Sequence, residues 1–359
     1  MPPMTYNNNR RPLALALIFA APLLIGSAQP APATSAPAPA PTQAPSSVAG
    51  APNAETIVDP TTGVLVPLIQ PFDLDATRRM AVDVTIGGEG PFSFLVDTGA
   101  ERTVIARELA DRLKLAPGEQ LRLATIGGSA IVPSYRVAAL QMTDLRMTGF
   151  TAPAFSGRHI GAAGLIGVDM LEDRRVLIDF RKESMSIFAA RKRERPIIHD
   201  DDAIVVTARN VGGRLILSNA EIDGKRIDVI VDTGAQTSVG NLAMQDLVAR
   251  RRANQAPFIP TTLEAVTGES VPAMRTAIRL IRINGLDVND LRVSFADAQA
   301  FRALGLDKRP ALLLGMDCLS LFDRVEIDFP NRRIIFDLPS GASRESGQRF
   351  AFNNAGRGR

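Results

Sequence analysis

The stretch Phe94-Leu95-Val96-Asp97-Thr98-Gly99-Ala100 returns 135 residues later as Val229-Ile230-Val231-Asp232-Thr233-Gly234-Ala235. Upstream of the first copy, Met80-Ala81-Val82-Asp83-Val84-Thr85-Ile86 alternates in character and meets Gly87-Gly88-Glu89-Gly90. Upstream of the second, Leu215 to Ile222 meets Asp223-Gly224. Each reads as a strand, a Gly-containing hairpin turn and a second strand running into Asp-Thr-Gly-Ala. Downstream, each copy leads to a Thr/Ser/Val-rich stretch and a short amphipathic helix, predicted over Ala106–Leu115 and Asn241–Arg251. Farther on, Leu165-Ile166-Gly167-Val168-Asp169-Met170-Leu171 precedes the strand Val176–Phe180. Its counterpart Leu313-Leu314-Gly315-Met316-Asp317-Cys318-Leu319 precedes Val325–Phe329. The Asp-to-Gly intervals are 70 and 83 residues. A period this long is a duplicated domain, not a solenoid repeat.

Alone, an Asp-Thr-Gly turn has a structural role, the Asp accepting from nearby backbone N–H groups, and duplication alone would copy that role too. The chemistry of a facing pair tells the two apart. Asp97 follows Phe94, Leu95 and Val96, so its carboxylate emerges from a buried strand. Gly99 lacks a side chain and allows close backbone approach, and Thr98 supplies a hydroxyl that can tie the loop across a two-fold interface. If a pseudo-dyad sets Asp97 beside Asp232, the two cannot both ionise and share one proton. One is then a general base and the other a general acid toward a bridging water, with pKa values that belong to the pair. This suits direct attack of water on an amide.

At these residues the sequence resembles the pepsin/retropepsin clan of aspartic proteases, in particular exported bacterial retropepsin-like proteins with two fused lobes. The resemblance covers about residues 80–337. It implies an all-β, bilobed acid-protease fold of two pseudo-symmetric, barrel-like lobes with short helices, the dyad lying between them. Carried over by position, Asp97 and Asp232 are the catalytic pair, Thr98 and Thr233 a cross-lobe hydroxyl grip, and Gly99 and Gly234 the close-approach glycines. The motifs at Gly167 and Gly315 correspond to the ψ-loop strands. Ala100 and Ala235 resemble the retroviral type, which is a dimer of single lobes, whereas this chain carries both. Gly167-Val168-Asp169 and Gly315-Met316-Asp317 stand where viral enzymes have Gly-Arg, so the viral interface salt bridges do not carry over. The resemblance also implies flaps over the substrate, for which Thr125-Ile126-Gly127-Gly128-Ser129-Ala130 and Val266-Thr267-Gly268-Glu269-Ser270 are candidates. Ile126, Gly127, Gly128, Thr267 and Gly268 are then expected to touch substrate. The implied activity is aspartic endopeptidase, acting on protein or peptide and needing no cofactor. The alternative is a non-catalytic peptide-binding module that keeps the cleft.

Composition narrows the classes further. Of 359 residues, 45% are hydrophobic and 22% charged, which is globular usage. Aromatics are 5% with no Trp, and the formal charge is +3, two of these being Arg10 and Arg11, so no nucleic-acid partner is expected. One cysteine, Cys318, excludes an internal disulfide and a Cys-cluster zinc site, and His159 and His199 alone make a His-rich metal site improbable. Cys318 reads as a buried small hydrophobe, Asp169 and Asp317 as helix caps, and Asp200-Asp201-Asp202 as surface. Gly87-Gly88-Glu89-Gly90 is no dinucleotide fingerprint, since no helix follows it.

Arg10-Arg11, the apolar stretch Leu13–Ile25 and Gly26-Ser27-Ala28 read as a signal peptide over 1–28, too short to span a membrane and expected to leave no span after cleavage. Residues 29–56 read as a Pro/Ala-rich linker. The lobes are expected at 57–192 and 197–338, joined by Arg191-Lys192-Arg193-Glu194-Arg195-Pro196, which reads as a solvated linker in preference to a basic docking patch. Residues 339–359 read as a flexible tail. The expectation is an exported protein, periplasmic or secreted, acting as a monomer.

Overall fold

The computed structural model describes residues 79–143, 145–198, 203–250 and 256–339, with short paired segments at Ala14–Leu15, Phe19–Ala20, Leu68–Pro71, Asp73–Leu74 and Phe350–Ala351. Apart from those segments, the expected signal peptide, linker and tail lie outside the described residues, as do His199 and Asp200–Asp202.

The alternation in Met80–Ile86 becomes strand β1, with Met80, Val82, Val84 and Ile86 buried and Asp83 exposed. Gly87 and Gly88 take positive φ at the turn into β2 (Glu89–Val96), which ends with Phe94, Leu95 and Val96 all buried. A strand covered on both faces carries a continuous apolar run rather than alternation. There follow β3 (Val104–Ala106), α1 (Arg107–Arg112), the hairpin β4 (Leu121–Ala124) and β5 (Ser129–Val132), and the long hairpin β6 (Ser134–Met142) and β7 (Leu145–Phe155). Then come α2 (Gly157–Ile160), β8 (Gly164–Ile166), α3 (Val168–Leu171), β9 (Arg174–Asp179) and β10 (Ser184–Ala189). Strands β6-β7-β3-β8-β2-β1 form one sheet that closes where β1 pairs with β6, giving a six-stranded barrel.

The second half repeats this order. After β11 (Ile204–Val211) come β12 (Arg214–Ile222), β13 (Lys225–Val231), β14 (Val239–Gly240), α4 (Leu242–Ala249), β15 (Ile259–Ala265), β16 (Ser270–Ile283) and β17 (Leu286–Phe295). They are followed by α5 (Gln299–Ala303), β18 (Ala311–Leu314), α6 (Met316–Leu319), β19 (Arg324–Asp328) and β20 (Arg333–Asp337). Strands β16-β17-β14-β18-β13-β12 close through the β12–β16 pairing into a second barrel of the same strand order. Asp223 and Gly224, both at positive φ, make the β12–β13 turn, and the Asn241 side chain caps α4 by accepting from the Met244 N–H at 2.8 Å. The fold is all-β and two-lobed, as expected.

The lobes share a base. Strand β9 of the first half pairs antiparallel with β19 of the second, within the order β11-β20-β19-β9-β10 that continues to Leu68–Pro71. The joining segment is better anchored than a solvated linker. Glu326 Oε2 accepts from the backbone N–H groups of Ile197 and Ile198, both at 2.8 Å, and Arg333 donates to the Glu194 carbonyl. Asn331 donates to the Arg191 carbonyl at 2.9 Å, and the residues of this segment given to solvent are 191–193 and Arg195.

Candidate active site

Strands β2 and β13 deliver the two Asp-Thr-Gly-Ala turns to the seam between the barrels. Asp97 and Asp232 are both fully buried, 0% exposed. Each carboxylate is held by its own turn: Asp97 Oδ1 accepts from the Gly99 and Ala100 N–H groups at 2.8 Å each, and Asp232 Oδ1 from those of Gly234 and Ala235 at 3.0 and 3.1 Å. The turns are then laced to each other. The Thr98 hydroxyl donates to the Val231 carbonyl at 2.9 Å and the Thr233 hydroxyl to the Val96 carbonyl at 2.7 Å. The Thr98 hydroxyl oxygen also accepts the Thr233 N–H at 3.2 Å, and that of Thr233 accepts the Thr98 N–H at 3.1 Å.

This lacing sets each carboxylate over the other turn's glycine. A Cβ on Gly99 would lie 2.6 Å from Asp232 Cγ, and one on Gly234 would collide with the Asp97 carboxylate. The Oδ2 atoms of both aspartates are buried and accept no hydrogen bond from the described residues. Burial raises both acids above the usual carboxylate range, and the negative charge of Asp97 raises Asp232 further. Two buried carboxyls so placed cannot both ionise freely and share one proton between them.

The ψ-loop motifs support the turns from behind. The Asp97 N–H donates to the Ile166 carbonyl at 2.9 Å, and that of Asp232 to Leu314 at 3.0 Å. Gly167 and Gly315 are needed for approach: a Cβ on Gly315 would lie 2.8 Å from the Thr237 carbonyl carbon, and one on Gly167 would strike the backbone of Arg102. Asp169 and Asp317 do not cap helices. The N-caps of α3 and α6 are Gly167 and Gly315, with no side-chain cap bond. Instead Asp169 accepts from the Thr103 N–H (2.9 Å) and hydroxyl (2.7 Å), and Asp317 from the Ser238 N–H (3.1 Å) and hydroxyl (2.7 Å). Those hydroxyl oxygens in turn accept from the Gly167 and Gly315 N–H groups. The acids tie the ψ-loop to the segment just past each catalytic turn, because α3 and α6 are single turns whose first N–H groups already bond to the carbonyls of Ala100, Glu101, Ala235 and Gln236.

A family profile for aspartyl proteases matches residues 82–170 and 218–318, one stretch in each half, each containing one of the turns just described. The chain belongs to the aspartyl protease family. No curated protein matches it.

In this protease the two candidate flap hairpins touch each other. The first is β4–β5 with its turn at 125–128, the second β15–β16 with its turn at 266–269. A Cβ on Gly127 would lie 2.6 Å from Glu269 Oε2 and 3.1 Å from the Ala265 Cβ. Ile126, 0% exposed, buries together with Ala124 among Leu263, Ala265, Ala298 and Phe301 of the other half. Gly268, at positive φ, sits directly on the His159 ring of α2. Gly128 turns at φ 149° with open space around it, and the Thr267 hydroxyl is buried without a hydrogen-bond partner in the described residues. Cys318 is buried, and burial pushes its thiol well above the ordinary range, which makes it a core residue and no nucleophile.

Three kinds of residue escaped the sequence reading: the arginines at the start of each barrel's first strand, the hydroxyls Thr103 and Ser238, and His159 as a contact of the second candidate flap. The repeat itself held a signal for the first two kinds. Arg79 and Arg214 both stand 18 residues before their Asp, and Thr103 and Ser238 both stand 6 after it. All four are buried.

Proposed function

We propose that this protease is an endopeptidase that hydrolyses peptide bonds with a water activated between Asp97 and Asp232, Thr98, Gly99, Thr233 and Gly234 holding the two carboxyls in register. The single observation that carries this reading is the placement of each carboxylate over the opposite turn's glycine, with both Oδ2 atoms unengaged. The ionised acid takes a proton from water as the water oxygen bonds to the carbonyl carbon, and the protonated acid gives its proton to the carbonyl oxygen. The roles then reverse: the first acid protonates the leaving nitrogen as the C–N bond breaks, and a hydroxyl proton of the diol returns to the second. Ile126, Gly127, Gly128, Thr267 and Gly268 would line the roof over the peptide and exclude bulk water on closure. The leader motif around Arg10-Arg11 supports an exported enzyme, and the presence of both turns in one chain supports a monomer.

The test is digestion of a peptide library across a range of pH. Asp97→Asn and Asp232→Asn should each lower cleavage by roughly 10³-fold or more with the thermal transition nearly unmoved. Turnover retained in either variant would overturn the shared-proton mechanism. Wild-type peptide binding without cleavage at every pH would show a non-catalytic binding module instead.

A further inference from the structure

The geometry points to a residue that decides which of the two acids is the base: we propose that Arg214 is a positioning residue that keeps Asp97 ionised and leaves the shared proton on Asp232. The inference rests on the two-carboxylate reading above and adds a direction to it.

Arg214 opens β12 in the second half, yet its side chain reaches the first half's catalytic turn. It is 1% exposed. Its Nε donates to the Gly99 carbonyl at 2.7 Å, its Nη1 to the Gly212 carbonyl at 3.1 Å, and its Nη2 lies 3.6 Å from Glu101 Oε2. The Gly99 carbonyl and the Ala100 N–H are two ends of one peptide group, and that N–H donates to Asp97 Oδ1 at 2.8 Å. A cation fixed at the oxygen end of an amide polarises it and makes its N–H a stronger donor, and a buried setting magnifies the effect. The chain of contacts is therefore guanidinium, peptide, carboxylate, and it favours negative charge on Asp97. Burial is the largest influence on Asp97 and raises it, while the N–H groups of Ala100 and Gly99, the neighbouring Asp232 side chain and, last, the attraction of Arg214 lower it. On Asp232 burial and the charge of Asp97 lead, both upward, and Arg214 attracts Asp232 as well but more weakly than Asp97.

Two further differences between the halves agree. The two N–H bonds to Asp97 are 2.8 Å each, against 3.0 and 3.1 Å to Asp232, as expected when charge resides on Asp97. The position four residues after the catalytic Asp is Glu101 in the first half, where it engages Arg214, and Gln236 in the second. Arg79, the counterpart of Arg214, lies against Gly161, where a Cβ would be 2.6 Å from its Nη2.

The test is a titration that needs no turnover. With ¹³C-carboxyl aspartate in the full chain, Asp97 is followed by NMR in the Asp232→Asn background, where it titrates alone, and Asp232 in the Asp97→Asn background. Adding Arg214→Gln should raise the Asp97 midpoint by about one pH unit or more and move Asp232 less, while Arg214→Lys should restore part of the shift. Glu101→Gln, at a partly exposed side chain, should move Asp97 the opposite way, because a negative charge beside Arg214 is removed. This second variant decides the matter if Arg214→Gln does not fold. In the otherwise wild-type enzyme the acid limb of kcat/KM should follow the same directions. An Asp97 midpoint indifferent to both substitutions, or equal shifts at both acids, overturns the proposal. Should the titration behave as stated while no peptide is cleaved, it is the hydrolytic reading that fails and the charge assignment that stands.

Discussion

The two Asp-Thr-Gly-Ala turns are near replicas in their short-range bonds and unlike in what surrounds them. Both carry an Asp Oδ1 bonded to two N–H groups, a threonine reaching across the seam, and a ψ-loop glycine in close backbone contact. Around the first turn lie Arg214 and Glu101, and the first half's candidate flap is two four-residue strands separated from the barrel at Pro133. Around the second stands Gln236, and its flap strand runs unbroken for 14 residues from Ser270 into the barrel. Direct contact between the turns keeps them alike, since a displacement of one carboxylate meets the other turn's backbone. Charge and flap length act at longer range and are free to differ. Symmetry is held where atoms touch, and direction enters from farther away.

The severest test of the symmetric part is steric. Gly99→Ala and Gly234→Ala each place a methyl against the opposite carboxylate, closer than carbon and carboxylate can stand. Overpacking of this kind costs about 1–3 kcal/mol, and because it acts by separating the acids, activity should fall by roughly 10²-fold or more in both variants. Parallel melting curves and peptide assays check this. A variant that spares activity at one glycine only would show that the turns are not equivalent even at contact range.

Much of this pairing was legible in the chain. Asp-Thr-Gly-Ala after an apolar run, twice at one period, announced the barrels, the hairpins and the dyad, because backbone-limited turns leave few residue choices. What stayed hidden depended on distance through space. Arg214 reads as an ordinary strand-initial arginine until the fold brings it to the Gly99 carbonyl of the other half. Asp169 and Asp317 follow glycine and precede an apolar helix, the pattern of a cap, and only the nearness of Thr103 and Ser238 shows that they are ties. The flap contact between Gly127 and Glu269 joins residues far apart in sequence with no periodic mark at either.

The ties offer the next comparison, through pH. Burial raises Asp317 to about 6 from 3.8, and it raises Asp169 as well. A carboxyl whose folded pKa lies above its unfolded value binds its proton more tightly when folded. The contribution of such a group to stability is therefore fullest below pH 4 and is lost as pH rises through about 6. For Asp317 the decline is on the order of 3 kcal/mol. Denaturant melts between pH 3.5 and 7.5 should show it, and Asp317→Asn should flatten that slope, at the cost of about 1 kcal/mol for an amide facing two donors. If Asp169→Asn flattens it equally, the two ties are energetically alike. If Asp317→Asn leaves it untouched, the slope arises elsewhere.

The flaps give the smallest effects and separate burial from contact. Ile126 is buried in the opposite half's apolar cluster, whereas Glu269 meets Gly127 from an exposed turn. In a rigid core an Ile→Ala change would cost ~2–5 kcal/mol. That burial anchors the hairpin that is to close over substrate, so about 1.4 kcal/mol, or tenfold, should appear in KM for Ile126→Ala, with the melting temperature lowered and kcat little changed. Glu269→Ala gives up one exposed contact worth a few tenths of a kcal/mol, so KM should move about twofold or less. Steady-state kinetics on one peptide measures both. A larger effect at Glu269 than at Ile126 would mean that the flap tips are held by polar contact at the seam, and that the anchoring of the first flap in the second barrel matters little to closure.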